Sequence, residues 1–356
     1  MTLDPARGAR WRHVALDPPA ALGPPCGSAT LRAAPEDFVV EEELGIAPDG
    51  GGAHRLLWVE KRGANTLFVA RSLARLAGVR SDDVGFAGLK DRHALTRQWF
   101  SVPATATVPA AGVEGEGFRV LHAAAHSRKL RRGALAGNRF ELRLRGFSGD
   151  AALLAARVQT VAVRGVPNWF GAQRFGRGGS NLDDVARWLA GGAVPRGRDA
   201  RAFLFSAARG LLFNQVLAAR VGDGSWERLL PGELVNLDGT GSFFAARDID
   251  ATLVARLAAG DVHPTGPLPG ARAALPETRA LDVETRALGA DADLVALLEA
   301  AGVEAERRAL RLRPRDPGIV FDGPDAIVRF ALPRGAYATT VLREMITTTG
   351  DVTEES

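Results

Sequence analysis

The sequence predicts an α+β chain whose mixed, mainly antiparallel sheet is interrupted by an inserted helix-rich segment. Three observations predict it. Strand-like runs crowd residues 31–145, helical periodicity dominates the middle, and strand character returns toward the C-terminal end. β-rich ends around a helix-rich middle are the pattern of one domain inserted into another. The boundaries so read are 1–160 with 312–356 for the discontinuous domain and 161–311 for the insert, and 356 residues give ample length for two cores.

Taken in order, the first thirty residues look irregular and include the turn-rich Gly23-Pro24-Pro25-Cys26-Gly27. Phe38 to Glu42 and His54 to Glu60 read as strands. Asn65 can cap a helix whose Leu67, Ala70, Leu73 and Ala77 share one face and which Gly78 stops. Thr96 to Val102 is β-rich. Arg139 to Arg145 alternates, with Phe140, Leu142 and Leu144 on one side and charged residues on the other, as in a half-buried antiparallel strand. After Gly146 the texture changes. Helical patterns run over Ala151–Val163, Asn181–Ala190, Ala202–Arg220 and Asp248–Ala259, and His263–Gly270 reads as a long loop. Strand character returns at Arg308–Arg313 and Ile327–Leu332, before a last helix from Ala338 to about Ile346.

Composition narrows the class. Hydrophobic content of 46% and charged content of 24% are those of ordinary soluble globular proteins. A single cysteine, Cys26, excludes an intrachain disulfide and a multi-cysteine zinc site, and fits a reducing cytoplasm. The N-terminus has no apolar signal core, and no apolar run approaches the ~18 residues of a membrane span, so a cytoplasmic protein with no membrane partner is expected. The net charge is +4, carried almost wholly by arginine; Lys61, Lys90 and Lys129 are the only lysines. Arginine suits bidentate phosphate contacts, which makes Ser127–Arg132 and Arg196–Arg201 candidate contacts to an RNA backbone.

The stretch Gly88-Leu89-Lys90-Asp91-Arg92-His93 sets one carboxylate between two cations, just ahead of a β-rich run. Neighbouring positive charge favours an ionised carboxylate, and an ionised aspartate on a strand-loop is a candidate nucleophile or base. Walker, zincin, nucleophile-elbow and dinucleotide signatures are missing. Gly176–Asn181 is glycine-rich and opens a helix, so an anion-site enzyme such as a nucleotide transferase is a rival class, against which the missing P-loop lysine counts. His122 and His126 are four apart with no third ligand nearby in sequence, so no metal is expected there.

Several strings together resemble one family. They are Ala34-Pro35-Glu36-Asp37-Phe38-Val39-Val40-Glu41, Phe86 to Gln98 around Asp91, and Gly137-Asn138-Arg139-Phe140. Pro167 to Gly176, Leu212 to Leu217, His263 to Leu268 and Leu332 to Thr340 follow in the same order. The chain resembles the TruD family of tRNA pseudouridine synthases over roughly residues 30–350. The resemblance implies a pseudouridine-synthase catalytic domain carrying an inserted TRUD domain. It also implies isomerisation of uridine to pseudouridine in tRNA, at position 13, with no cofactor and no metal. The family's catalytic aspartate falls on Asp91, and its substrate-contacting positions fall on Phe38, Asn138 and Tyr337. Arg32 matches a basic position and is the expected ion-pair partner of Asp91, in preference to the adjacent Lys90, which can point away. Phe140 is either a stacking surface for uracil or core; Arg174 is expected to hold RNA or pack the insert. The aspartate would either attack the ribose C1′ or promote a glycal-type elimination. The alternative reading is a catalytically silent tRNA-binding protein on the same fold.

Overall fold

The structure, a computed structural model, describes residues 4–104, 107 and 109–350. The chain folds as two compact units. One comprises Pro25–Ala162, Pro314–Ala338 and the residues from Ile346; the other comprises the residues up to Pro24, Val163–Arg313 and Thr339–Met345.

The first unit is built on an eleven-stranded sheet. Its main path runs Arg315–Asp322, Asp325–Pro333, Leu135–Gly149, Phe38–Leu44, Leu95–Pro103, His54–Lys61, Phe118–His126 and Glu114–Gly115. Gly27–Thr30 pairs with Leu135–Gly149 and with Thr347–Thr349, and Gly85–Phe86 pairs with Leu95–Pro103. The pairing is antiparallel except for Phe38–Leu44 with Leu95–Pro103 and Gly27–Thr30 with Thr347–Thr349. Leu135–Gly149 is the longest strand, at 15 residues, extending beyond the expected alternation because it finds a partner on each edge. Its Phe140, Leu142 and Leu144 are buried while Arg139 and Glu141 face solvent, so alternation did mark its faces. The helix Thr66–Ala77 covers one face of the sheet. Asn65 caps it by accepting from the Phe68 amide at 2.8 Å, and Gly78 ends it at φ 66°, a left-handed conformation that favours glycine. Val69, Ala70, Leu73, Ala74 and Ala77 pack on Leu57, Val59, Phe86 and Phe100. Leu67, expected on that face, is exposed because the buried stripe is centred on Leu73.

The second unit is organised around the helix Arg198–Gly222, 25 residues long. By length and composition this helix could cross a membrane, which corrects the expectation that no apolar run approaches that length. Yet 61% of its most apolar window is buried in the fold, as in a core helix. A four-stranded sheet of Phe243–Ala245, Leu234–Leu237, Val262–Leu268 and Glu306–Ala309 belongs to the same unit. The expected loop His263–Gly270 is therefore mostly strand. Pro264 has no amide proton to offer there, but its carbonyl still accepts from the Leu310 amide at 2.8 Å. The helix Pro5–Leu16 also escaped the sequence: Asp4 caps it and Pro5 opens it, but its periodicity is weak, with only Trp11, Val14 and Ala15 buried. It packs in this second unit, as do Thr339–Met345, although the sequence reading assigned both segments to the discontinuous domain. The helices Thr278–Leu288 and Ala292–Ala300 were not foreseen, and the last helix stops at Leu342.

Candidate active site

Asp91 lies in the first unit, in the loop between Gly85–Phe86 and Leu95–Pro103, where the chain is about to enter the middle of the sheet. The loop is held from beneath. Lys61, the last residue of His54–Lys61, is 1% exposed and donates from Nζ to the carbonyls of Ala64 at 2.8 Å, Lys90 at 3.3 Å and Asp91 at 2.8 Å. Three acceptors match the three protons of an ammonium group. Burial pulls its pKa down to about 8, although the charge of Asp91 opposes that fall and Lys90 adds to it. Thr66 accepts from the Lys90 amide at 2.9 Å and donates to Gln98 Oε1 at 2.9 Å, and Gln98 Nε2 donates to the Gly88 carbonyl at 3.1 Å. The loop backbone is thus bonded at Gly88, Lys90 and Asp91 by buried side chains.

The carboxylate itself is more open, with 31% of the side chain exposed. Oδ1 accepts from the His93 amide at 2.9 Å, and Oδ2 lies 3.3 Å from the guanidinium of Arg32. Arg32 adopts φ 62°, a left-handed conformation that costs a non-glycine residue on the order of 1 kcal/mol and is kept where surrounding contacts over-determine it. Those contacts include Phe38, whose ring centre is 4.1 Å from the guanidinium carbon, a cation–π arrangement. Lys90 turns the other way, into a buried ion pair with Glu42 at 2.5 Å.

Behind Arg32 stands a row of aromatic rings. Phe38 meets Phe140 edge-on at 6.2 Å, and Phe140 meets Phe330 at 5.5 Å across adjacent strands in register. All three rings are buried. Asn138, two residues along from Phe140, stands opposite Glu42 on one neighbouring strand and Leu332 on the other. Its Oδ1 is buried without a hydrogen-bond partner among the described residues. Asp37 is fully buried and gripped by Arg145 at 2.8 Å and by the Ala34 amide at 2.8 Å, a local turn and ion pair. Tyr337 is half-buried just ahead of Ala338–Leu342. Arg174 belongs to the second unit, where it bonds Ser206 and lies 4.9 Å from the centre of the Phe170 ring.

The family model for tRNA pseudouridine synthase D (TruD) matches residues 23–197 and 198–345. The chain belongs to the TruD family. The tRNA pseudouridine synthase D of Nitrosococcus oceani is 50% identical over 337 residues, covering 91% of this chain and 92% of that protein. The one from Pseudomonas putida is 47% identical over 332 residues, covering 92% and 94% respectively. A crystal structure from Methanosarcina mazei, described as a candidate tRNA pseudouridine synthase D (TruD), superposes with a TM-score of 0.70 at 19% identity, covering 95% of this chain and 98% of that one. At that identity the likeness concerns the fold, which is the mixed α+β arrangement described above.

For this TruD-family chain, sequence reasoning named the residues around the carboxylate but missed those beneath it. Lys61, Thr66 and Glu42 lay outside the quoted strings, and Gln98 closed one of them without a role being assigned to it. One signal was available: Lys61 is one of only three lysines in an arginine-rich chain and ends a strand of apolar alternation. Among the described residues no group of three or more His, Cys, Asp or Glu side chains is placed to hold a metal.

Proposed function

We propose that this chain isomerises uridine to pseudouridine in tRNA, at position 13, with Asp91 acting on the ribose. The supporting observation is the contrast at Asp91: its backbone is tied to buried side chains while its carboxylate stays open, paired with Arg32. Such a group is pre-positioned without being enclosed. In the reaction the C1′–N1 bond breaks, the uracil turns, and a C1′–C5 bond forms. C5 loses a proton and N1 gains one, so nothing is added or removed and no redox partner is called for. Asp91 serves either by attacking C1′ or by taking the 2′ proton on the way to a glycal. Both routes need the target nucleotide drawn out of the stack.

Asn138 and Tyr337 are the groups we place on the substrate. A buried carbonyl oxygen without a partner suits the N–H edge of a uracil, which would satisfy it. Phe38 and Phe140 act from behind, since their rings are buried and Phe38 already carries Arg32. Lys90 is given to Glu42 and steadies the loop; Arg174 is placed on RNA within the inserted unit. tRNA as substrate puts the work in the cytoplasm.

The test is pseudouridine mapping on unmodified tRNA transcripts incubated with the wild type and with Asp91→Asn. Product at a single uridine with the wild type and none with the variant is expected. Undiminished product from Asp91→Asn would remove that carboxylate from the chemistry. Binding without product from the wild type would leave an RNA-binding protein on this fold.

A further inference from the structure

The second unit holds a cavity that the isomerisation does not use. About 380 Å³ in volume and open to solvent, it is lined by Asn181, Arg187 and Trp188 of the helix Ser180–Leu189, by Pro195 of the connection, and by Phe203 and Leu204 of Arg198–Gly222. That volume is within the range of small-ligand sites, roughly 300–1,000 Å³. Its walls are mainly apolar and aromatic. Trp188 is buried with its ring 5.4 Å from that of Phe205, so this wall is rigid. Phe203 is 66% exposed at the opening, so its ring is accessible to a ligand entering the cavity. The polar groups are the Asn181 amide, the Asp184 carboxylate and the guanidinium of Arg187, the last two paired with each other.

The connection into this cavity carries Arg196, and the first turn of Arg198–Gly222 carries Arg198 and Arg201, all exposed and with no side-chain hydrogen bond or ion pair among the described residues. Asp199 is the single acid interspersed with them. An aromatic-walled cavity beside three uncommitted guanidinium groups matches a planar base joined to phosphates. We propose that this cavity receives one unstacked nucleotide of the RNA substrate, its base against Phe203 and Trp188 and its flanking phosphates on Arg196, Arg198 and Arg201. The proposal rests on the reading above only in taking the same RNA as ligand.

Binding of an unmodified tRNA transcript is measured over a salt series for the wild type, Phe203→Ala and the triple variant Arg196→Ala, Arg198→Ala, Arg201→Ala. These side chains are exposed, so the variants are expected to fold. Loss of one base–aromatic stack, about 1–3 kcal/mol, corresponds to a roughly 5- to 150-fold weaker Kd for Phe203→Ala. Loss of three phosphate contacts flattens the slope of log K against log salt by about 2 in the triple variant. Affinity within twofold of wild type together with an unchanged slope overturns the proposal. The two readings fail separately: an inactive wild type with weakened variants leaves the cavity site standing, while an active wild type with unweakened variants removes the site and leaves the enzyme.

Discussion

The ammonium of Lys61 sits 2.8 Å from the backbone carbonyl of Asp91, so the residue proposed to do the chemistry is positioned through its main chain by a cation that never reaches its carboxylate. Arg32 and Lys61 thus divide the work: one orients the side chain, the other the loop.

A pH dependence follows from Lys61. Its pKa is pulled down from 10.5 to about 8 by burial, so in the folded protein it gives up its proton long before it would in the unfolded chain. Between those values the unfolded chain binds more protons, and this group's contribution to stability rises with pH. Turnover should move the opposite way, because a neutral amine cannot donate to three carbonyls. We expect kcat to fall as pH rises through about 8 while thermal stability does not fall with it. Lys61→Met should lower kcat by about 10-fold or more and erase that inflection. A wild-type profile flat beyond pH 9 would separate the charge of Lys61 from the reaction.

Arg32 is bound to both a carboxylate and an aromatic face. Arg32→Ala should reduce kcat on the order of 10²-fold, the scale of a misplaced reacting group, with KM within threefold. Arg32→Lys should recover only part of this, since an ammonium keeps the charge but loses the planar stack on Phe38. Single-turnover and steady-state kinetics on the two variants separate these effects. A loss seen only in KM would make Arg32 an RNA contact.

How much of this was legible beforehand differs from residue to residue. Asp91 and Phe38 lie in short, distinctive strings, Arg32 stands just ahead of one, and the alternation over Arg139–Arg145 marked which face of that strand would be buried. Lys61 stood out only as a rare lysine ending a strand; its role could not be read, because its partners are backbone carbonyls, which carry no sequence identity. The strand Val262–Leu268 was hidden by prolines, which ordinarily read as loop signals, although the Pro264 carbonyl still accepts a backbone hydrogen bond. The helix Pro5–Leu16 was hidden for a different reason: its place is fixed by polar contacts to Asp291, nearly 300 residues away, more than by an apolar stripe.

Asn138 should separate stability from function. Its Oδ1 makes no bond among the described residues, so Asn138→Ala is expected to change stability by only about 0.5 kcal/mol in denaturant unfolding. Its kcat/KM should nevertheless fall about 10- to 100-fold, as expected of a lost hydrogen bond to substrate worth roughly 1.5–3 kcal/mol. A destabilised but fully active variant would reverse the assignment.

Asp291 anchors the N-terminal helix. It is buried and accepts from Arg7 at 2.6 Å, Arg10 at 2.8 Å, Trp11 at 2.9 Å and Gln215 at 2.7 Å. Asp291→Ala strands cations and buried donors together and should cost about 3–5 kcal/mol. Urea unfolding measures the loss, and protease cleavage within Pro5–Leu16 should appear before global unfolding. Resistance equal to wild type would mean that apolar packing alone holds the helix.

The parallel pairing of Gly27–Thr30 with Thr347–Thr349 has a consequence for synthesis. Gly27–Thr30 waits for Thr347–Thr349, with some three hundred residues emerging in between. At 5–20 residues per second a ribosome spends on the order of 15–60 seconds on that interval. Throughout it, one edge of Gly27–Thr30 is unpaired and open to wrong partners. A nascent chain stalled before residue 347 would therefore lack this closing pair, and the sheet that presents Asp91 would be completed only once that strand had been made.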